Sequence, residues 1–312
     1  MLSIRLNNVN MTDSSSRLVA SSKLPITILI AVKNESLNLP KCLEALTPAE
    51  RVVLVDSDST DETAQIAQDY GVEIVQFKYS YTYPKKRQWA LDSVSINTPW
   101  IFLLDADEVM TDELWGEISF VLNSPNPKAA YLVEKAFHFL GRRFRFGGFS
   151  FQAVLLLQTG KGRFEELAVD PCSNLDMEVH ERIVVDGEIG ALKNPVLHED
   201  FKGLQAYIDR HNKYSSWEAE LRLRYLDSGQ YGDSAVKPKL LGNSQERRRF
   251  LKKLVLRIPL EHWIWFGYHY FIRLGFLEGR RGLIACQIRA SYIAQTNAKI
   301  YEARLKQKHR IS

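Results

Sequence analysis

Cysteine is scarce in this chain. Only three of the 312 residues are cysteines, Cys42, Cys172 and Cys286, and they lie far apart with no CxxC spacing. The sequence therefore predicts neither a disulfide framework nor a zinc site, and a reducing compartment fits best. The start of the chain also lacks an apolar run. Because a secretory signal or a spanning helix needs such a run, we interpret residues 1–23 as a disordered tail.

Acidic residues are scarce at the other end of the chain. Residues 244–312 hold 15 Lys and Arg against four Glu and no Asp, although the whole chain has a net charge of only +4. The longest uncharged run in this part, His262–Ile272, has 11 residues, whereas a membrane-spanning helix needs about 20. We therefore predict that residues 244–312 form a basic, aromatic, amphipathic helical segment that contacts a membrane peripherally. The expected location is the cytoplasm, on the inner face of the membrane.

The aromatic residues of this basic segment allow two further interpretations. They are Trp263, Trp265, Tyr268, Tyr270 and Phe271, and Arg and Lys residues flank them on both sides. Such residues can also form an ordinary core where a helical pair packs back on the preceding domain, and one face can pack while the other meets lipid. Basic and aromatic residues suit nucleic acids as well, but the chain has no DNA- or RNA-binding motif. We therefore predict no nucleic-acid partner.

Short apolar runs alternate with amphipathic stretches after Pro25. The runs have the length and the β-branched composition of strands that are buried on both faces, and the stretches between them carry helical spacing. The order predicts the βαβαβ half of a doubly wound α/β sheet. The predicted strands are Ile26–Val32, Val52–Asp56, Val72–Phe77 and Trp100–Asp105, and the predicted helices are Leu37–Leu46, Thr60–Tyr70 (capped by Ser59 and Thr60) and Lys85–Val94.

The alternation weakens after Met110. The patterns there predict a helix over Thr111–Leu122, strands over Ala129–Ala136, Ala153–Gln158 and Glu178–Val185, and a helix over Lys202–Leu226. A linker containing glycine then runs to about Asn243. We therefore expect one folded domain over residues 24–226, a linker over 227–243 and the basic segment over 244–312.

Polar residues end three of the predicted strands. Asn34 and Glu35 follow the first strand, Asp56 ends the second, and Asp105 and Asp107 stand at the end of the fourth. The carboxyl ends of parallel strands share one edge of a sheet, where ligands bind, so these side chains should converge. Any one of these acids alone would more often be a helix cap or a turn former.

Converging carboxylates repel each other unless a cation neutralises them. Their oxygens suit Mg²⁺ or Mn²⁺, and such an ion can bridge the two phosphates of a nucleotide diphosphate and stabilise it as a leaving group. No GxGxxG motif follows the first strand, which argues against a dinucleotide cofactor. The residues therefore predict a divalent cation and a nucleotide ligand at this edge.

Five motifs follow one another along the chain: VKNE (32–35), VDSDSTDET (55–63), KRQWAL (86–91), LDADE (104–108) and VHERIVVDG (179–187). Together they resemble glycosyltransferase family 2, and within it the bacterial lipopolysaccharide-core and exopolysaccharide sugar transferases. The resemblance covers about residues 25–225. It implies a GT-A-type nucleotide-sugar-binding fold, a doubly wound mixed sheet with a C-terminal helical segment, with a donor half over about 24–110 and an acceptor half over about 111–226.

The resemblance also implies roles for individual residues. The nucleotide is expected to contact Val32, Asn34, Glu35, Asp56 and Asp105, with Lys86 or Arg87 near its base or phosphates, while Asp107 and His198 are expected to bind the metal. Glu181 matches the position of the general base in an inverting transfer. Glu199 and Asp200 are alternative bases.

Each of these roles has a structural alternative. Glu181 would otherwise be a surface strand residue, paired with Arg182 or Lys193. Lys86 and Arg87 would belong to a solvated helix start, and a lone histidine such as His198 is more often a packed structural residue.

One segment departs from the family pattern. Many relatives have an acid and an arginine where this chain has Ser150–Phe164, and Gln152 is the only polar side chain left in the middle of that stretch. The acceptor pocket is therefore expected to differ in shape or specificity.

Taken together, the motifs predict a metal-dependent, inverting glycosyltransferase. It is expected to move a hexose from a nucleotide sugar, with a UDP-sugar as the expected donor, to a lipid-linked or core saccharide of the cell surface. A nucleotidyltransferase is the first alternative, although it would carry a basic Gly-rich loop where VKNE stands. A non-catalytic scaffold of the same fold is the second, although it would be expected to lose Asp105 and Asp107.

Overall fold

The computed structural model describes residues 23–81, 83–166, 182–228 and 260–311. The first part consists of β1 (Leu24–Val32), α1 (Leu39–Glu44), β2 (Ala49–Asp56), α2 (Thr63–Asp69), β3 (Glu73–Gln76), α3 (Lys86–Ser93), β4 (Trp100–Asp105) and β5 (Glu108–Val109). The middle consists of α4 (Asp112–Leu122), β6 (Ala130–Phe139), β7 (Arg142–Arg143), β8 (Phe151–Gln158), β9 (Gly162–Phe164), β10 (Ile183–Val185), β11 (Ile189–Ala191), β12 (Val196–His198) and α5 (Gly203–Ser228). The C-terminal part consists of α6 (Glu261–Gly267), a π-helical turn (Tyr268–Ile272), a 3₁₀ turn (Gly275–Glu278) and α7 (Gly279–Ile311).

One mixed sheet joins the first and middle parts. Its strands follow the order β3-β2-β1-β4-β8-β6-β12-β5, with β7 and β11 also paired to β6. Strands β3, β2, β1 and β4 are parallel. Strand β8 is antiparallel to both β4 and β6, and β12 is parallel to β6, so β6 and β12 point in the same direction as β4. The carboxyl ends of β1, β2, β4, β6 and β12 therefore share one edge of the sheet.

The central strands are buried on both faces. In β1 and β4, Ile28 and Phe102 face a core that also contains Leu39 of α1 and Leu114 of α4. The neighbouring residues Leu29, Ile101 and Leu103 face a second core, which contains Ala90 of α3. Helices thus cover both faces, which explains why the sequence of these strands is continuously apolar. The predicted doubly wound arrangement is confirmed.

Two predicted details are wrong. Helix α2 begins at Thr63 and has no side-chain cap, because the Ser59 hydroxyl donates to Asp56 and the Thr60 N–H donates to Asn34. These residues stabilise the loops at the sheet edge instead. Helix α5 also continues to Ser228, beyond the boundary expected at residue 226. The remainder of the predicted linker, the predicted tail except Lys23, and residues 244–259 of the basic segment lie outside the described residues.

The C-terminal segment packs on the sheet domain through buried ion pairs. The Arg222 guanidinium of α5 lies 2.8 Å from Glu261 of α6. The Glu278 carboxylate accepts hydrogen bonds from the backbone N–H groups of Arg145 (2.6 Å) and Phe146 (2.9 Å). Helix α7 also lies along α5, where the Lys299 ammonium donates to the Asn212 carbonyl at 2.8 Å. In the described part of the chain, no helix is both long enough and apolar enough to cross a membrane.

We expect that Glu278→Ala destabilises the fold by at least about 1.5–3 kcal/mol, the typical contribution of one hydrogen bond to a charged group. The substitution removes the acceptor of two backbone N–H groups and thereby one of the contacts between the loop after β7 and the C-terminal segment. Urea denaturation measures the change. Glu302→Ala is the matched control, since Glu302 is exposed and pairs only with Lys306 one helical turn away, and it should leave the unfolding midpoint unchanged. Equal unfolding midpoints for both variants would contradict this stabilising role of Glu278.

Candidate active site

The shared strand edge brings the predicted site residues together. In the register of the sheet, Val32 pairs with Asp56 and Ala31 pairs with Asp105. On the other side of β8, His198 is level with Phe137 of β6. The backbone positions of the polar strand ends therefore converge, as the sequence predicted.

Hydrogen bonds fix the loops after β1 and β2 against each other. Asn34 adopts a left-handed conformation, with φ of 56°, which asparagine tolerates better than most residues. Its N–H donates to the Ser59 hydroxyl and its side-chain oxygen accepts from the Thr60 N–H, both at 2.8 Å. Asp56 is buried and accepts from the Ser59 N–H and from Gln76. Both loops are thus held in one conformation before any ligand binds.

Asp105 is held as a carboxylate by two cations. The Arg87 guanidinium pairs with one oxygen, and the Lys135 ammonium lies 2.8 Å from the other. Burial alone would raise the pKa of Asp105, but Arg87 and Lys135 lower it well below its usual range. Lys135 also lies 2.6 Å from the Glu108 carboxylate, and Glu108 is fully buried. Lys135 thus neutralises two carboxylates at the end of β4.

Asp107 and His198 lie side by side. The His198 Nδ1 atom is 3.5 Å from Asp107 and 3.7 Å from Glu108, and it has no hydrogen-bond partner among the described residues. Burial works against the charged imidazolium, but Asp107 and Glu108 outweigh it and raise the pKa of His198 to about 9. Burial raises the pKa of Asp107 as well. Asp107 and Glu108 thus hold His198 as an imidazolium, and a cation that binds beside them has to displace its proton.

These two residues fit part of a divalent-cation site. Once His198 has released its proton, its unpartnered ring nitrogen and the Asp107 carboxylate offer one nitrogen and one oxygen ligand. An ion that keeps several waters or phosphate oxygens needs few protein ligands. Within residues 23–81, 83–166, 182–228 and 260–311, no group of three or more His, Cys, Asp or Glu side chains is arranged to hold a metal. The rest of the coordination shell would have to come from water and ligand.

The two basic residues at the start of α3 are not a solvated helix start. Lys86 is almost completely buried, and its ammonium donates to the Val32 carbonyl at 2.8 Å. Arg87 pairs with Asp105. The structural alternative considered for them is therefore wrong: Lys86 supports the end of β1, while Arg87 fixes the orientation of Asp105.

A polar network connects the end of β1 to the start of α5. Glu35 lies 2.6 Å from the Lys202 ammonium, and although burial raises the pKa of Glu35, Lys202 opposes that rise. The Asn38 amide donates to both Glu35 (2.8 Å) and Asp200 (3.1 Å). Asp200 also pairs with Arg210 at 2.5 Å. This network places α5 directly over the carboxyl edge of the sheet.

The three candidate bases differ in their surroundings. Glu181 lies outside the described residues. Glu199 pairs with Lys41 at 3.0 Å. For Asp200, burial raises the pKa, but the Lys202 N–H and Arg210 outweigh burial and lower it, which makes this carboxylate a weak base.

A cavity of about 440 Å³ opens at this edge. It is lined by the strand ends, by the face of α5 and by the C-terminal segment, with Glu35, Asp105, Asp107, Lys135, Phe149, Phe151, His198, Tyr207, Arg210, His211, Tyr214, Trp265, His269 and Arg289 among its wall residues. A neighbouring cavity of about 320 Å³ shares Phe137, His198, Tyr207 and Arg210 with it. Burial lowers the pKa of His211 to about 4, so this wall residue is neutral at neutral pH.

The C-terminal segment supplies one wall of the larger cavity. The rings of Trp265 and His269 stack with centroids 3.9 Å apart, and Trp265 also contacts Phe149 edge to face. The ring Nδ1–H of His269 donates to the Gly147 carbonyl at 2.6 Å. Arg289 of α7 lies over the Tyr292 ring and forms no ion pair with any residue that the structure describes. The wall therefore combines a flat aromatic surface with an available cation.

Sequence reasoning missed Lys135, Arg210 and the whole C-terminal wall. A signal existed for Lys135, because Glu134 and Lys135 interrupt an otherwise apolar strand. Another existed for Trp265 and His269, which stand four residues apart and therefore share a helix face. Nothing local in the sequence shows that this face meets the sheet edge.

We expect that Lys135→Met destabilises the protein by about 3–5 kcal/mol, because it leaves the fully buried Glu108 carboxylate without its cation. Lys128→Met is the control, since Lys128 pairs with the exposed Glu188 and should change little. Thermal and urea unfolding of both variants measure the difference. If Lys135→Met unfolds at the wild-type midpoint, Lys135 is not required to neutralise this cluster.

Comparison with known proteins shows similarity to sugar-transferring enzymes. Residues 27–133 match the model of glycosyl transferase family 2, which spans β1 to the middle of β6. The lipopolysaccharide core biosynthesis glycosyltransferase LpsC of Rhizobium meliloti (strain 1021) is 29% identical over 291 residues, which make up 90% of this chain and 93% of the relative. An uncharacterized glycosyltransferase of Rickettsia felis is 25% identical over 291 residues, 92% of this chain and 93% of that protein.

Two solved structures resemble the chain more distantly. The mannosyltransferase PcManGT from Pyrobaculum calidifontis, solved in complex with GDP-Man and Mn²⁺, has a TM-score of 0.47 and 12% identity, with coverage of 89% of this chain and 87% of that one. S. aureus TarS 1-349 has a TM-score of 0.42 and 14% identity, with coverage of 90% and 91%.

Proposed function

We propose the reaction of this chain from its similarity to glycosyltransferases: residues 27–133 match the model of glycosyl transferase family 2, and the chain is 29% identical to a lipopolysaccharide-core enzyme. The protein transfers a hexose with inversion from a nucleotide sugar, with a UDP-sugar as the expected donor, to a saccharide or lipid-linked saccharide. The observation that carries the proposal is the cavity at the carboxyl edge of the sheet, where Glu35, Asp105 and Asp107 face the C-terminal wall.

The nucleotide lies across the ends of β1, β2 and β4 in this proposal. Asn34 and Asp56 are already fixed by hydrogen bonds within their loops, so little conformational entropy is lost when base and ribose bind. Asp105 stays ionised because Arg87 and Lys135 flank it, and it therefore accepts hydrogen bonds from ribose hydroxyls. Val32 contributes through its backbone, whose carbonyl is oriented by Lys86.

Asp107 and His198 are the residues that would hold the divalent cation, Mg²⁺ or Mn²⁺. When bound, the cation neutralises charge on the diphosphate leaving group. Arg210, 3.9 Å from Asp107, adds positive charge at the same end of the cavity. The metal assignment rests on the His198 Nδ1 atom, which has no hydrogen-bond partner among the described residues. The carboxylates that raise the pKa of His198 would also attract a cation in place of its proton.

Glu181 acts as the general base in this proposal. Inversion requires a carboxylate that takes the proton of the attacking hydroxyl on the side opposite the leaving diphosphate. Glu199 is engaged by Lys41, and Asp200 is engaged by Arg210 and Asn38. These contacts support Glu181 over the two alternatives.

The acceptor binds against the C-terminal wall. Sugar rings present apolar C–H faces that pack on flat aromatic surfaces, and the stacked pair of Trp265 and His269 offers such a surface in the cavity. Phe151 of β8 lines the same space, at the segment where the sequence departs from the family pattern. Specificity for the acceptor is therefore expected to depend on residues outside the matched region 27–133.

Incubation with UDP-, GDP- and dTDP-sugars, with and without Mn²⁺, tests the proposal. One class of donor should release its nucleotide in a metal-dependent way, and calorimetry should show tighter binding of that nucleotide when Mn²⁺ is present. Asp107→Asn should remove the gain in affinity that Mn²⁺ provides and abolish transfer, because it removes a charged ligand of the cation.

Asp209→Asn is the matched control for this experiment, because Asp209 is an exposed residue of α5 whose partner is Gln205. It should behave as the wild type. Failure of all three nucleotide-sugar classes to bind would overturn the proposed reaction, and an unchanged Mn²⁺ response in Asp107→Asn would overturn the metal assignment alone.

A second test separates chemistry from binding. Glu181→Gln should keep the affinity for the nucleotide sugar and lower kcat by about 10² or more, as expected for the loss of a general base. Glu199→Gln is the comparison and should retain turnover. The melting temperature of each variant shows that both are folded, and the opposite pattern of kcat values would assign the base to Glu199.

A further inference from the structure

The outer face of the C-terminal segment exposes an unusual number of large apolar side chains. Trp263 and Ile264 are 64% and 55% exposed, and Phe271 and Ile272 are 59% and 70% exposed. The complete apolar ridge consists of Leu260, Trp263, Ile264, Tyr268, Phe271, Ile272, Leu274, Phe276 and Leu277. Exposed apolar residues scattered singly are ordinary, but a set this dense within 18 consecutive residues marks an interaction surface.

The inner face of the same segment fixes the orientation of the ridge. Glu261 is buried and pairs with Arg222, Trp265 packs on Phe149, and His269 donates to the Gly147 carbonyl. These three residues recur every four positions, so they lie on one side of the helical segment. The ridge residues of α6 fall between them, on the side that faces away from the sheet domain.

The exposed charge of residues 260–281 is entirely positive. Residues 260–281 contain two carboxylates, Glu261 and Glu278, and both are buried against the sheet domain. The three arginines of the same stretch, Arg273, Arg280 and Arg281, are exposed. Residues 260–281 therefore offer apolar side chains flanked by guanidinium groups, and none of their carboxylates is exposed.

We propose that the apolar ridge inserts into the interface of an anionic lipid bilayer. Apolar side chains flanked by arginines are what a peripheral membrane surface requires, since insertion buries the former while the latter meet negatively charged headgroups. Trp265 and His269 line the larger cavity from the inner face of the same segment, so insertion holds the acceptor wall next to the membrane surface. This inference rests on the ridge alone and does not require the proposed reaction.

A second copy of the chain fits this surface less well. A symmetric dimer places the same patch on both partners, so three exposed arginines would face three others with no exposed carboxylate of residues 260–281 between them. Anionic lipid supplies the opposite charge. The charge pattern thus selects the bilayer as the partner.

Co-sedimentation with vesicles tests the proposal on the full-length protein. Vesicles of phosphatidylcholine with phosphatidylglycerol should bind the wild type, vesicles of pure phosphatidylcholine should bind it more weakly, and high salt should reduce the difference. Phe271→Glu with Ile272→Glu should lower the affinity for the anionic vesicles by about tenfold or more. Phe120→Glu is the matched control, because Phe120 is 78% exposed on α4, outside the ridge, and it should bind as the wild type does.

A second measurement introduces no charge into the ridge, so its result does not depend on correct folding of the double variant. Brominated lipid should quench tryptophan fluorescence of the wild type, and Trp263→Phe should remove a large part of that quenching. Absence of binding to anionic vesicles at low salt would overturn the proposal, as would equal binding by the double and Phe120 variants. Dimerisation that the double variant abolishes, without vesicle binding, would also overturn it in favour of a second copy. Nucleotide-sugar hydrolysis without vesicles should be unchanged in both variants, so these failures remain separate from failure of the proposed reaction.

Discussion

Neutralisation of buried negative charge at the carboxyl edge of the sheet is the constraint on which the rest of the structure depends. Asp105, Asp107 and Glu108 lie within four consecutive residues, and each is largely or fully buried. Lys135 and Arg87 compensate Asp105 and Glu108. Asp107 has the weaker partners, His198 at 3.5 Å and Arg210 at 3.9 Å. The protein thus pairs Asp105 and Glu108 with close cations and leaves Asp107 with more distant partners.

This division explains why α3, β6 and α5 all meet at one place. Each delivers a cation to the carboxylates of the β4–β5 turn: Arg87 from α3, Lys135 from β6 and Arg210 from α5. Removal of one partner of a buried ion pair is strongly destabilising, because the other charge stays buried without a counter-ion or water. The positions of these elements relative to β4 are therefore coupled to the electrostatics of the site.

The sequence predicted local features well and long-range neighbours poorly. Strands β1 to β4 are continuous apolar runs whose pattern follows from burial on both faces, so their assignment needed no partner. Strands β9 to β12 have three residues each. Their conformation depends on pairing with other strands, which local sequence does not reveal. Asp107 and His198 were paired only through the family resemblance, because they are 91 positions apart in the chain.

The sequence also left the role of the C-terminal segment open. Its amphipathic composition predicted a helix with two competing roles, and the structure assigns the two faces separately: Trp265 to the cavity and Trp263 to the exposed ridge. This arrangement has a consequence for the order of synthesis. The cavity wall is encoded after residue 260, so the sheet and α5 are synthesised before this wall can form. A chain that ends after α5 would keep the carboxylates at the sheet edge and lack the wall that Trp265 and His269 provide.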